Sequence, residues 1–394
     1  MRDTQWREIA ERYGTPCYIF DADVLTRRIE KIQQVLGPSV SLCYSIKANP
    51  FLVRSVQPLI RYLEVCSPGE FDICKALSVP MEKVLLSGVC KAPEDIADAV
   101  ACSAALYTAE SPRQARLLEK AAGRAGKRLP VLLRITAGSQ FGMDEADFFS
   151  LLSSSDFPHL EFIGIHYFSG TQHTKSAKLL AEIDYLDQLL GRAAIQCGWK
   201  AQKVEYGPGL AVPYFEGDDF SFPMAPLEAI ARPLRALAAK VDLTVEMGRF
   251  FAAECGYYLT RIVDLKTSGK TQYAFVDGGI NHVNYYGQMM GMKVPVIHTL
   301  SEGPAVPPSH DYTLCGSLCT LADVLVRKVS LPRLEIGDIL VLCNIGAYSV
   351  TEGLYLFLSR RMPRVILYDS AHGARLVREN IDTARLNMER GSVF

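Results

Sequence analysis

Apolar and β-branched residues gather in short runs along the first part of the chain, and each run is followed by a stretch whose apolar positions fall at helical steps. Eight such runs stand out: Val40–Ile46, Tyr62–Cys66, Lys83–Ser87, Ala104–Thr108, Val131–Thr136, Glu161–Phe168, Lys203–Tyr206 and Leu243–Glu246. Between them lie helical patterns such as Lys178–Cys197, where Leu179, Leu180, Ile183, Leu186, Leu189 and Leu190 form one stripe to set against a sheet. An earlier helix, with Asp21 as its N-cap and Val24, Leu25, Ile29, Ile32 and Val35 as its stripe, precedes the first run. Eight strands alternating with helices predict a (β/α)8 TIM barrel rather than an open doubly wound sheet, and no G-x-G-x-x-G follows the first strand.

From about Cys255 the pattern changes. Tyr257–Lys266, Tyr273–Asp277, Asp311–Leu318, Val324–Leu331 and Ile339–Ile345 read as strands separated by turns and by the Pro-rich stretch Val294–Ser309. A C-terminal all-β domain is expected there, and the strand-like Cys17–Phe20 is expected to join it. The predicted division is a barrel over 22–255 and a β-sandwich or β-barrel domain made of 1–21 with 256–394.

Composition narrows the partners. Of 394 residues 49% are hydrophobic and 22% charged, which is the balance of an ordinary globular protein, and Lys+Arg 42 against Asp+Glu 43 leaves no basic footprint for a nucleic acid. No uninterrupted apolar stretch is long enough to span a membrane, and Met1-Arg2-Asp3-Thr4-Gln5 leads into no signal-like run, so a cytoplasmic protein acting on small molecules is expected. Eleven cysteines without a C-x-x-C read as reduced thiols, with no metal site.

In a barrel of this kind chemistry sits at the C-terminal ends of the strands. The first run ends in Lys47, at a place where an ammonium is expected to be buried and so suited to imine formation. The second ends with Glu64, Cys66 and Ser67, the fifth supplies Arg134, and the sixth runs through His166 and Phe168 to Thr171. Gly207-Pro208-Gly209 after the seventh offers backbone N–H groups to a phosphate, and the eighth ends Glu246-Met247-Gly248-Arg249. An amine, phosphate donors, an aromatic plate, an arginine and a carboxylate are together the needs of pyridoxal 5′-phosphate.

Read jointly, Tyr44-Ser-Ile-Lys-Ala-Asn, Phe162-Ile-Gly-Ile-His-Tyr-Phe-Ser-Gly-Thr-Gln, Glu246-Met-Gly-Arg, Val276-Asp-Gly-Gly, Cys315-Gly-Ser-Leu-Cys-Thr-Leu-Ala-Asp323 and Gly346-Ala-Tyr348 make the whole chain resemble the fold-type III, alanine-racemase-like decarboxylases that include diaminopimelate and ornithine decarboxylase. The resemblance implies α-decarboxylation of an amino acid through an external aldimine and a quinonoid. It implies that Lys47 carries the cofactor, that Glu246 pairs its ring nitrogen, and that Gly207, Gly209, Arg249, Thr171 and Tyr348 hold its phosphate. Glu64, Arg134, His166, Phe168 and Gly248 are counted with the cofactor-binding set, Phe168 standing where many relatives place a histidine over the ring. The resemblance further implies a homodimer with shared active sites, in which the loop of Cys319 and Asp323 reaches the barrel of the partner subunit and Cys319 returns a proton to Cα.

Three departures bear on substrate. Cys319-Thr320-Leu321 replaces the family's Cys-Glu-Ser, Ile280-Asn-His-Val-Asn-Tyr-Tyr286 replaces its Arg-Pro-x-x-Tyr, and Gly207-Pro-Gly replaces a triple glycine. The segments Gln140–Glu145, Ile163–His166, Ser169–Gln172 and Val212–Phe215 are similar to a specialised-metabolism branch. That branch includes a decarboxylase of glutamyl tethered to an acyl carrier protein and siderophore decarboxylases. A small-molecule or carrier-protein-tethered amino acid is therefore expected, met by Cys319, Thr320, Asp323, His282 and Tyr285, with Tyr286 beside them. Diaminopimelate decarboxylase of lysine biosynthesis and a catalytically silent decarboxylase-like regulator are the alternatives.

Overall fold

The computed structural model describes residues 1–285, 291–300 and 307–389. They fall into two compact units, one of residues 26–212 and 221–251, the other of residues 1–25, 213–220 and 252–394 as far as these are described.

After a first strand that belongs elsewhere, β1 (Cys17–Asp21), eight parallel strands form the first unit. They are β2 (Val40–Ser45), β3 (Tyr62–Val65), β4 (Val84–Leu86), β5 (Leu106–Ala109), β6 (Leu129–Ile135), β7 (Leu160–Phe168), β8 (Lys203–Gly207) and β9 (Asp242–Met247). They close into a barrel because β9 returns to pair with β2, Val40 opposite Leu243 through Tyr44 opposite Met247. The predicted TIM barrel is the observed one. Its interior is filled at one level by Cys43, Tyr62, Leu85, Leu106 and Leu132, so the polar residues at the strand ends stand on a packed apolar floor. Helix Ser176–Cys197 stops at Gly198, which takes the left-handed conformation (φ 61) that a side chain resists. Asp21 caps the helix Ala22–Leu36, accepting from the N–H groups of Asp23 and Val24 at 3.0 and 3.1 Å.

The second unit is one nine-stranded mixed sheet. Its strands are β1, β10 (Gly256–Ser268), β11 (Thr271–Val276), β12 (Ile297–Leu300), β13 (His310–Cys315), β14 (Val324–Leu331), β15 (Ile339–Cys343), β16 (Arg364–Asp369) and β17 (Gly373–Arg378). The order is β14-β13-β11-β10-β1-β16-β17, with β15 also on β10 and β12 on β15. An N-terminal helix, Asp3–Tyr13, lays Trp6, Ile9 and Ala10 on Ile19, Leu259, Val341 and Ile366, and that contact is the core of the unit. The observed division differs from the predicted one by a few residues at each end of the barrel, 22–25 and 252–255, and by one internal segment. Residues 213–220, expected within the barrel, belong to the sheet unit: Phe215 bridges to Pro295, and the Glu216 N–H donates to the Val294 carbonyl at 2.8 Å. Among the described residues no helix is long and apolar enough to cross a membrane.

Candidate active site

Beyond β2 the chain tightens into a 3₁₀ turn, Ile46–Ala48, that carries Lys47. The turn is fixed by Tyr44, whose hydroxyl donates to the Asn49 carbonyl at 3.0 Å, and by Asn49, whose side chain accepts from the Phe51 N–H at 3.1 Å. Lys47 Nζ lies 2.8 Å from Glu64 Oε2, 3.5 Å from Cys66 Sγ and 3.7 Å from Glu246 Oε1. The lysine was expected to be buried, yet its side chain is 41% exposed within its unit. Two carboxylates at the strand ends, Glu64 and Glu246, hold it by charge.

Glu246, at the end of β9, is buried and held from two sides. Ser45 donates to Oε1, and His166 Nε2 shares a 3.0 Å hydrogen bond with Oε2. Burial alone raises a carboxyl pKa, but Lys47 and His166 more than offset it and hold Glu246 well below the ordinary carboxylate range. For His166 burial pulls the imidazole down, while Glu205 and the bond to Glu246 outweigh it, so its pKa is raised.

The loops after β7 and β8 are zipped together. The His173 N–H donates to the Gly209 carbonyl at 2.9 Å, the Ala211 N–H to the His173 carbonyl at 3.2 Å, and Gln172 both accepts from the Val212 N–H (2.8 Å) and donates to its carbonyl (3.1 Å). Such an approach needs glycine. At Gly209 (φ 57) a Cβ would lie 1.8 Å from the Gly170 carbonyl oxygen, and at Gly207 it would lie 2.6 Å from the Phe168 ring. Thr171 is exposed on this double loop. Gly248 brings the β9 end against Ala48, and Arg249 opens the short helix Arg249–Ala252.

Arg134 is buried and committed to Glu110, its Nη1 2.5 Å from Oε1, with the guanidinium 4.9 Å above the Phe141 ring. Glu110 Oε2 accepts from the Gly142 N–H at 3.0 Å. Lys91, buried nearby, donates to Gln114 Oε1 at 2.9 Å, and burial pulls its amine to about 8.

The remaining predicted residues belong to the sheet unit. Cys319 and Thr320 are exposed on the loop between β13 and β14. Asp323, expected to meet substrate, turns into its own loop: its two oxygens accept from the N–H groups of Ile280 (2.9 Å) and Leu318 (2.6 Å). Gly279 and Gly316 make room, since a Cβ at either would come within 2.7 Å of that carboxylate. His282 and Tyr285 were expected to line a pocket, and both lie inside the sheet unit. His282 meets the Tyr258 hydroxyl at Nδ1 (2.9 Å) and Asn281 at Nε2 (3.0 Å), and burial pulls it to about 3. Tyr285 donates to the Cys343 carbonyl at 2.8 Å and packs on Tyr214 and Phe215. Both segments are drawn inward because their polar tips find fixed partners there. Tyr286 lies outside the described residues. Tyr348 adopts φ 69, an uncommon conformation for a bulky residue, in a turn closed by the N–H groups of Thr351 and Glu352 on its carbonyl.

The barrel residues fit pyridoxal phosphate: an amine beside an ionised, doubly held carboxylate, an aromatic ring, and loops closed by glycines whose Cβ atoms would be obstructed. Sequence reasoning passed over Ser45, Glu110 and Glu205. The signal for Glu205 was a carboxylate inside the run Lys203–Tyr206, and for Ser45 its place two residues before Lys47.

Comparisons with known proteins agree with this reading. The chain is 25% identical to the L-glutamyl-[BtrI acyl-carrier protein] decarboxylase of Niallia circulans, over 91% of this chain and 90% of that protein. It is 24% identical to the diaminopimelate decarboxylase of Aquifex aeolicus, over 95% and 92%. The crystal structure of diaminopimelate decarboxylase from Methanocaldococcus jannaschii superposes with a TM-score of 0.85 at 23% identity, over 96% of this chain and 92% of that one, and shows the shared fold. The family model described as "Pyridoxal-dependent decarboxylase, C-terminal sheet domain" matches residues 17–346. The chain thus belongs to the ornithine/diaminopimelate/arginine decarboxylase family of pyridoxal-dependent decarboxylases.

Proposed function

We propose that this decarboxylase acts on an amino acid whose distal end is modified or conjugated, carrier-tethered glutamate or a siderophore precursor being the model substrates. The observation that carries this reading is the Cys319 loop. Asp323 is the one acid between Cys319 and Asp323, and its carboxylate is taken by two backbone N–H groups, so the loop presents Thr320 and no carboxylate to greet a distal ammonium. The absence of an arginine from Ile280–Tyr286 removes the matching clamp for a distal carboxylate. The similarity to a decarboxylase named for a carrier-bound glutamyl group supports the same reading.

The chemistry that pyridoxal phosphate supplies when bound is an electron sink for the pair left at Cα as carbon dioxide departs. Lys47 is the amine that would hold the cofactor. Glu246, kept ionised by Lys47 and His166, keeps a proton at the ring nitrogen. Gly207, Gly209, Thr171 and Arg249, with Tyr348 as the resemblance implies, would hold the phosphate, and Phe168 would offer its ring to the cofactor. Glu64 takes up the Lys47 ammonium when it is released, and the Cys319 thiol delivers a proton to Cα.

We further propose a homodimer with shared sites, since the sheet unit exposes Leu321, Leu354, Leu356, Phe357, Leu358 and Leu386. These lie on neighbouring segments, joined by Arg360 to the Ser317 carbonyl (2.7 Å) and by Asn387 to the Leu356 carbonyl (2.7 Å).

The test is carbon dioxide release by the loaded enzyme, read by mass spectrometry. One set of candidates is free diaminopimelate, lysine, ornithine and arginine; the other is carrier-tethered glutamate and citryl-amino-acid conjugates. Turnover of the conjugates alone is expected. Efficient turnover of free diaminopimelate overturns the substrate reading and makes the protein an enzyme of primary metabolism.

A further inference from the structure

Inside the barrel, Glu205 is a carboxylate that the decarboxylation steps leave unused. It is fully buried on β8 with the Cys43 thiol beside it, and no nitrogen or oxygen donor among the described residues reaches its carboxylate. A buried carboxylate in that state is costly unless it takes a proton or a neighbouring cation. The strand register supplies the neighbour: Glu205 stands opposite His166 on β7, so the two side chains point to the same face of the barrel wall. His166 is buried as well, its Nε2 is engaged with Glu246 at 3.0 Å, and its Nδ1 has no hydrogen-bond partner among the described residues.

We propose that Glu205 is a positioning residue: it keeps His166 charged, so that His166 donates from Nε2 to Glu246 and Glu246 remains an ionised carboxylate toward the cofactor's ring nitrogen. The proposal rests on the reading of Glu246 as the residue that meets that nitrogen.

The groups that bear on His166 and on its two carboxylate neighbours come from five other strands or their ends. Cys43 and Lys47 stand on and just beyond β2, Glu64 on β3, Arg134 on β6, Glu205 on β8 and Glu246 on β9. Arg134 opposes a charge on His166, while Glu205 and Glu246 favour it. Burial pushes Glu205 itself above the ordinary carboxylate range, with His166 pulling against that shift. Removing Glu205 leaves Glu246 alone to hold the charge on the imidazole against Arg134 and burial, and the proton affinity of His166 falls.

The test compares wild type, Glu205→Gln and Glu205→Asp as the full chain loaded with pyridoxal phosphate. Its readouts are the ¹⁵N titration of His166, identified by its loss in His166→Asn, and the pH dependence of the cofactor's visible absorbance. In Glu205→Gln the His166 midpoint is expected to fall by at least about one pH unit, a tenfold loss of proton affinity. The absorbance transition should move with it, and Glu205→Asp should restore most of both. A His166 midpoint unchanged in Glu205→Gln overturns the proposal. Should the Gln variant fail to fold, the ¹⁵N titration of His166 in wild type decides: a midpoint above that of a free imidazole supports the pairing, and one below it overturns it. If His166 moves but the absorbance does not, the assignment of Glu246 to the ring nitrogen has failed and the Glu205–His166 pairing stands.

Discussion

Ser45 is a small side chain at the site, and its hydroxyl donates to one oxygen of Glu246 while His166 meets the other. Ser45→Ala leaves a buried carboxylate short of one donor, a loss of about 1–3 kcal/mol. We expect kcat to fall by roughly tenfold to a hundredfold with the fold intact, read by steady-state carbon dioxide release and a thermal melt. His282 gives a pH prediction of a different kind. Its folded pKa of about 3 lies below the ordinary 6.5, so below about pH 6.5 the unfolded chain binds a proton that the folded chain refuses. Stability contributed here is present above pH 6.5 and is lost as pH falls toward 3, with a slope of up to about 1.4 kcal/mol per pH unit. Urea midpoints measured from pH 7 to 4 should decline, and His282→Gln should flatten the decline; an unchanged slope in that variant removes His282 from the account. At this scale Lys47 and Glu246 stand out in the sequence because each is a charge ending an apolar strand. For Asp323 and His282 the residue type alone does not fix the direction of the side chain, and both turn toward backbone or tyrosine partners inside the sheet unit.

Among elements, the double loop after β7 and β8 has the least room for change. Gly209→Ala must push its Cβ away from the Gly170 carbonyl oxygen, 1.8 Å distant, at a φ of 57 that alanine resists. The two loops are expected to part, and the dissociation constant of pyridoxal phosphate to rise on the order of a hundredfold, equivalent to about 2.7 kcal/mol. Fluorescence titration with the cofactor reads this, and near-normal affinity would show that the double loop does not hold the phosphate. All eight barrel strands were legible as apolar runs, because a strand buried on both faces needs no alternation. Others were not. β12 (Ile297–Leu300) is hidden within a Pro-rich stretch, and β17 (Gly373–Arg378) alternates too weakly, being only partly buried along its length. Helix Asp3–Tyr13 does carry a helical stripe at Trp6, Ile9 and Ala10, but what makes it an element is the surface of Leu259, Val341 and Ile366, far along the chain.

For the whole molecule, the dimer proposal predicts complementation between two dead variants. Lys47→Ala and Cys319→Ala each abolish turnover, yet subunits mixed and allowed to exchange should regain about one working site per mixed dimer. If exchange is demonstrated and no activity returns, the sites are not shared. The sheet unit has a further consequence, for the order in which the protein is made. β1 leaves the ribosome near the start of synthesis, yet its neighbours are β10, antiparallel to it, and β16, parallel to it, with Cys17 opposite Arg364. At translation rates on the order of 5–20 residues per second, the strand waits tens of seconds for its second neighbour. All five of its residues are buried in the finished sheet, so until then Cys17–Asp21 is an apolar strand with both edges open. A nascent chain stalled short of β16 is the species in which this protein is most exposed to chaperones and to self-association, and a stop codon placed there should yield aggregate even though every barrel strand has been completed.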